Sequence, residues 1–228
     1  MFIRITAVAL LFFAFIYIYI VSSGEKAENT EIANHHVTGA VAVKTGIGNT
    51  IETFIVAGGC FWCVESDFEK RHGVIKAVSG YINGSVPNPT YRQVAAKQTG
   101  HFEAVEITYD STKVSLKELT EYFWKTIDPT DAYGQFCDKG SPYKTALFYQ
   151  NDQQKQVFET SLVDIEAVKP FSAPIVTEIL DAHTFYVAEE YHQDYYKKNK
   201  IRYKYYRTSC RRDSRIDDLW GEVISAQY

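Results

Sequence analysis

Two consecutive glycines followed by a cysteine, Gly58-Gly59-Cys60, separate a β-rich run from a helical pattern, and this junction constrains the fold more than any other stretch. Residues 53–57 read as a strand, 60–70 have helical spacing and 74–81 read as a second strand. Glycine reaches backbone angles closed to residues with side chains, so the chain turns here from strand into helix without a spacer. The order is β-α-β.

The alternation continues. Residues 102–109 alternate as a strand, 116–126 are helical, 145–149 form a short strand, 152–166 form a helix capped by Asn151, and 175–179 look like the last strand. A helix is expected over 188–198, and the tail to Tyr228 shows no clear periodicity. Mixed order with antiparallel returns predicts an α+β fold. We expect a two-layer sandwich with a ferredoxin-like βαβ core, a mixed sheet with helices packed on it and an irregular C-terminal tail.

The first residues obey different rules. Arg4 precedes an uncharged apolar run over 5–21, and polar character returns at Ser22. A membrane-crossing helix needs roughly 17 to 25 apolar residues, so this run is short for a span and long for a signal peptide. Its bulky end, with Phe15, Tyr17, Ile18, Tyr19 and Ile20, suits a cleavage site poorly. That favours an uncleaved anchor over residues 1–23, with a cleaved signal peptide as the alternative. Residues 24–50 lack periodicity and read as a flexible tether, leaving 51–228 as the folded domain. With Arg4 inside, the domain is expected outside the cytoplasm, in the periplasm, attached to the inner membrane or released if the signal is cut. A net charge of −4 offers no basic footprint for a phosphate backbone, which argues against nucleic acid as a partner. A monomer without cofactor or resident metal is expected.

Cys60 opens a helix, where unpaired N–H groups and the helix dipole favour a thiolate. It is thereby placed as a nucleophile, and Phe61 and Trp62 offer an aromatic wall suited to a small apolar end such as a thioether methyl. Three other readings of Cys60-Phe61-Trp62-Cys63 compete: half a zinc site, a thioredoxin-like redox motif, or an inert structural pair. Zinc would need a second pair, yet Cys137 and Cys210 stand alone. Bulky residues between the cysteines disfavour the redox motif, and the glycine-flanked helix start disfavours the inert pair. Glu103 lies at the mouth of a strand. Solvated, it does nothing; in an apolar pocket its raised pKa lets it protonate a poor leaving group. Tyr91 and Tyr143, two of 17 tyrosines, are packing residues by composition alone. His192, three residues after Glu189, reads as a satisfied helix histidine rather than a metal ligand.

Five boxes then combine: Gly59-Cys60-Phe61-Trp62, Asn88-Pro89-Thr90-Tyr91, Gly100-His101-Phe102-Glu103-Ala104-Val105, Gln135-Phe136-Cys137-Asp138-Lys139-Gly140 and Ala188-Glu189-Glu190-Tyr191-His192-Gln193. Their order resembles the peptide methionine sulfoxide reductases of class A, from about Thr53 to Gly221. The resemblance implies an oxidoreductase that repairs oxidised proteins by reducing methionine S-sulfoxide, free or peptide-bound. It implies a cysteine sulfenic acid, then an intramolecular disulfide recycled by thioredoxin or a similar dithiol. It assigns attack on the sulfoxide sulfur to Cys60 and protonation of the oxygen to Glu103. Tyr91 and Tyr143 would hydrogen-bond to that oxygen, Asp138 would help hold the substrate, and Phe61 and Trp62 would cradle the methyl. The resolving cysteine stays open among Cys210, Cys63 and Cys137, with Cys210 favoured because a flexible tail can reach an occupied site. Two departures from the pattern are Ser141-Pro142 before Tyr143, and Arg211 where glycine is expected. The alternatives are a general thiol-disulfide oxidoreductase and a membrane-tethered interaction domain that has lost activity.

Overall fold

The computed structural model describes residues 50–221 of the 228; the expected anchor, the tether up to Asn49 and the last seven residues lie outside the described residues. The opening is β1 (Ile51–Gly58), α1 (Phe61–Glu69) and β2 (Val74–Ile82). These two strands do not pair with each other. β3 (Phe102–Asp110) lies between them, antiparallel to both, which makes the unit a split βαβ. The remaining elements are α2 (Tyr91–Ala95), α3 (Leu116–Trp124), β4 (Gly134–Gln135), β5 (Asp138–Lys139), β6 (Thr145–Tyr149) and α4 (Asp152–Val168). They are followed by β7 (Glu178–Asp181), β8 (Tyr186–Val187), α5 (Tyr195–Lys198), α6 (Lys200–Ser209) and α7 (Arg212–Trp220). The main sheet runs β7-β6-β1-β3-β2-β8, with β6 and β7 parallel and the other pairs antiparallel. The expected α+β fold with a mixed sheet and packed helices is the one observed.

Strand periodicity builds the two faces. In β1, Phe54 and Val56 enter the main core with Phe61, Val64 and Phe68 of α1, Phe123 and Trp124 of α3 and Phe158 of α4. Ile55 and Ala57 point the other way, into a smaller cluster with Ile82, Ala104, Ala146 and Phe148. Phe54 is fully buried, so truncating it to alanine should cost about 3–5 kcal/mol. Local chemistry sets the helix starts: Ser115 and Glu118 form a capping box on α3, and the Asn151 side chain accepts from the Gln154 N–H at the start of α4, as expected.

Three expectations change. No continuous helix spans 188–198; instead a 3-10 turn (Glu190–His192) precedes α5. Side-chain bonds to the sheet win over helical propensity there. Gln193 accepts from Ser79 N–H at 3.0 Å and donates to Ser79 C=O at 2.9 Å, so it acts as a further strand neighbour for β2. The last predicted strand is displaced to Glu178–Asp181, because the Ile175 and Val176 amides are taken by Glu166 and by Pro129 C=O. The tail is not irregular: α6 and α7 carry it to Trp220, separated by Arg211 at φ 54°. Its buried face includes Tyr203, Arg207 and Arg212 beside Ile216 and Leu219, which hides the apolar stripe a pattern search needs. Arg207 pairs with Asp67 at 2.6 Å, and Arg212 donates to Gly58 C=O at 3.1 Å and Thr126 C=O at 2.8 Å. Two buried guanidiniums thus strap the tail beneath the β1–α1 junction.

Candidate active site

Gly59 has φ +84°, and a Cβ added there would sit 2.5 Å from the Gln135 Cβ, so only glycine fits the turn. The next residue, Cys60, is the N-cap of α1. It lines a cavity of about 50 Å³ together with Phe61, Trp62, Tyr91, Glu103, Asp138, Tyr143 and Tyr206. Phe61 and Trp62 come from the first turn of α1, Tyr91 from the start of α2 and Glu103 from β3. Asp138 comes from β5, Tyr143 from the 3-10 turn Ser141–Tyr143 and Tyr206 from α6. Pro142 sits in the opening positions of that turn, where its fixed φ fits, so Tyr143 still reaches the cup. Every nucleophile, acid and substrate contact expected from the sequence meets here. Sequence reasoning does not find Tyr206: it is one tyrosine among many, in a tail whose helices carry no apolar stripe. Its hydroxyl hydrogen-bonds Asp138 and its ring meets Trp62 edge-on at 5.8 Å.

Burial governs the electrostatics. Glu103 is 2% exposed, and desolvation pushes its carboxyl up to about 8, against the Phe61 N–H that donates to it at 3.1 Å and with added repulsion from Asp138 and Cys63. The group is therefore a neutral acid at pH 7. Burial likewise raises Asp138, opposed by the Tyr206 hydroxyl. Tyr91 and Tyr143 are pushed up first by burial and then by Glu103, so their hydroxyls stay protonated and able to donate.

The thiols correct one expectation. Cys60 is 8% exposed and its pKa lies well above the ordinary thiol value, first through burial and then through Cys63, Glu103 and Asp138. Cys63 is pulled down by its hydrogen bond with Cys60, against burial and with help from Arg212 and Arg207. Of the two thiols, Cys60 is thus the one that holds its proton more firmly. The helix N-terminus does not reverse this, because Glu103 occupies the Phe61 N–H. Cys60 and Cys63 are free, whereas Cys137 and Cys210 form a disulfide across 73 residues of sequence. That outer pair lines an open cleft of about 380 Å³ with Phe136, Lys139 and Arg215. Cys210, favoured for resolution as part of a mobile tail, is held at the end of a helix and already bonded.

Among the described residues, Glu65, Glu69 and Asp194 bring ligand atoms within 4.8 Å of one another. None lines the cup, and the Asp194 N–H, the Ser79 hydroxyl and Lys197 occupy these carboxylates. The arrangement suits acid-assisted attack by sulfur on a small polarised group.

Comparison with known proteins points the same way. Residues 52–224 match the family profile described as peptide methionine sulfoxide reductase. The relative in Listeria innocua, peptide methionine sulfoxide reductase MsrA, is 47% identical over 171 residues, covering 75% of this chain and 97% of that protein. Its namesake in Bacillus velezensis is 49% identical over 172 residues, 75% of this chain and 96% of that protein. A Vibrio cholerae protein named MsrA/MsrB is 46% identical over 166 residues, which are 73% of this chain and 44% of that longer protein. Among solved structures, reduced Mxr1 of Saccharomyces cerevisiae matches with a TM-score of 0.62 at 30% identity, over 66% of this chain and 87% of that one. Methionine sulfoxide reductase A of Corynebacterium diphtheriae matches with a TM-score of 0.59 at 32% identity, over 67% and 77%.

Proposed function

The chain belongs to the peptide methionine sulfoxide reductases of the A class, and from that premise we propose how its residues divide the work. The activity is reduction of methionine S-sulfoxide to methionine, with a disulfide as the oxidised product. The observation that carries the roles is the convergence of a thiol, a neutral carboxyl and two tyrosine hydroxyls on one buried cup. Cys60 attacks the sulfoxide sulfur, Glu103 protonates the departing oxygen, and the carboxylate so formed takes up the Cys60 proton. Tyr91 and Tyr143 donate to that oxygen, Phe61 and Trp62 enclose the methyl, and Asp138 holds the substrate from the β5 side. Methionine leaves and Cys60 becomes a sulfenic acid.

Resolution falls to Cys63. Its hydrogen bond with Cys60 and its lowered pKa support this reading, and the bonding of Cys210 to Cys137 weighs against the tail. Cys63 attacks the sulfenic acid, the Cys60–Cys63 disulfide forms and water leaves. Thioredoxin or a like dithiol then reduces that disulfide, for free or protein-bound substrate alike. The apolar run over 5–21 supports export and attachment to the inner membrane, facing the periplasm, with the domain acting as a monomer. Mass spectrometry of the mature N-terminus tests attachment, since a start near residue 23 would mean release.

The decisive assay supplies dithiothreitol and each sulfoxide epimer of methionine. Loss of the S epimer alone is expected; disulfide exchange without sulfoxide loss would point to the general oxidoreductase. With thioredoxin, Cys63→Ser should stop after one turnover while Cys210→Ser continues, and the reverse result would return resolution to the tail.

A further inference from the structure

Trp62 forms one wall of the cup, and its indole is held on three sides. The ring stacks on Tyr195 with centroids 3.7 Å and planes 6° apart, Tyr206 meets it edge-on, and its Nε1–H donates to Nδ1 of His192 at 3.0 Å. Ring contacts tolerate sliding, because dispersion is weakly directional; a hydrogen bond is not so tolerant. The bond to His192 is therefore the contact that fixes how the indole is turned.

His192 does not line the cup, and it is 1% exposed. To accept at Nδ1 the imidazole must be neutral, with its hydrogen on Nε2. Burial favours that neutral form, against the pull of Glu189. The two Glu189 oxygens are engaged elsewhere, one by the Tyr91 N–H and the other by the Tyr81 hydroxyl, each at 2.8 Å. Among the described residues His192 Nε2 has no hydrogen-bond partner, and the imidazole ring packs against the rings of Tyr191, Tyr91 and Phe61 at centroid-to-centroid distances of 4.1, 4.3 and 5.1 Å. An apolar residue would fill this space without burying an unpaired N–H. What an apolar residue lacks is the acceptor at Nδ1.

We propose that His192 is a positioning residue of the reductase: by accepting the Trp62 indole N–H it sets the wall against which the substrate methyl binds. This rests on the reading of the cup as the methionine sulfoxide site. The test is steady-state kinetics on methionine S-sulfoxide with wild type, His192→Leu and His192→Asn, with melting curves as a check on folding. Asparagine places its Oδ1 near the former Nδ1 and can accept the same bond. His192→Leu should raise KM about five- to tenfold with kcat within about twofold, the scale of one lost hydrogen bond. His192→Asn should keep KM within about twofold of wild type. Equal KM values for the two variants, or a fall in kcat alone, would overturn the proposal. Should the leucine variant not fold, nitrogen-15 spectra of the wild type decide. A coupling across the bond between Trp62 Nε1 and His192 Nδ1 sustains it, and a protonated Nδ1 overturns it. A wild type inactive on both epimers would instead sink the reading of the cup, while the spectra would still report on the pair.

Discussion

The two cysteine pairs of this protein have opposite designs. Cys60 and Cys63 are buried, three residues apart at a helix start, and remain thiols; Cys137 and Cys210 are 73 residues apart, border an open cleft and are bonded. The inner pair is joined by a hydrogen bond, with the Cys60 pKa raised and the Cys63 pKa lowered. The outer pair joins the β4–β5 hairpin, which carries Asp138, to the end of α6, which carries Tyr206. The pair near in sequence thus reaches the cup through Cys60, and the distant pair ties together two segments that border it.

Removing the inner nucleophile should have the largest effect. Cys60→Ser is expected to leave less than about a thousandth of sulfoxide reduction, since Cys63, the other free thiol, does not line the cup. Measurable turnover above that level would move the chemistry away from the inner pair. Glu103→Gln should lower kcat by about 10²- to 10⁴-fold. Its pH profile carries a sign: the acid form of Glu103 is present below about 8, so wild-type activity should fall as pH rises through that value, and the glutamine variant should not show this step.

The outer pair should separate stability from catalysis. The double change Cys137→Ser and Cys210→Ser should cost about 2–5 kcal/mol of stability, read by denaturant unfolding, with kcat retained at 25 °C. A loss of recycling comparable with that of Cys63→Ser would place the outer pair in the electron path. Smallest of all, Tyr206→Phe removes the hydroxyl bonded to Asp138 and should raise KM about two- to tenfold with little change in kcat. An unchanged KM would confine Tyr206 to packing.

Much of the site is legible in the sequence because its signals are local. The glycine turn into Cys60 and the strand carrying Glu103 can each be read in isolation, whereas Tyr91, Asp138 and Tyr143 stand out only through the resemblance that the five boxes carry together. The tail cannot be read in isolation, because its inward positions include arginine and tyrosine, and the partners of Arg207 and Arg212 include Asp67 and two backbone carbonyls far away in sequence. Likewise Gln193 and Glu189 turn an apparent helix into a strap along β2, through partners more than 95 residues distant.

Residue order alone decided the strand-to-helix turn at Gly59 and the side-chain types that Cys60, Phe61, Trp62 and Glu103 bring to the cup, since each depends on short-range spacing or side-chain type. Tertiary structure alone decided which cysteines bond, that Tyr206 joins the cup and that His192 faces Trp62. Those outcomes depend on burial and on distances between segments brought together only when the sheet closes over α1.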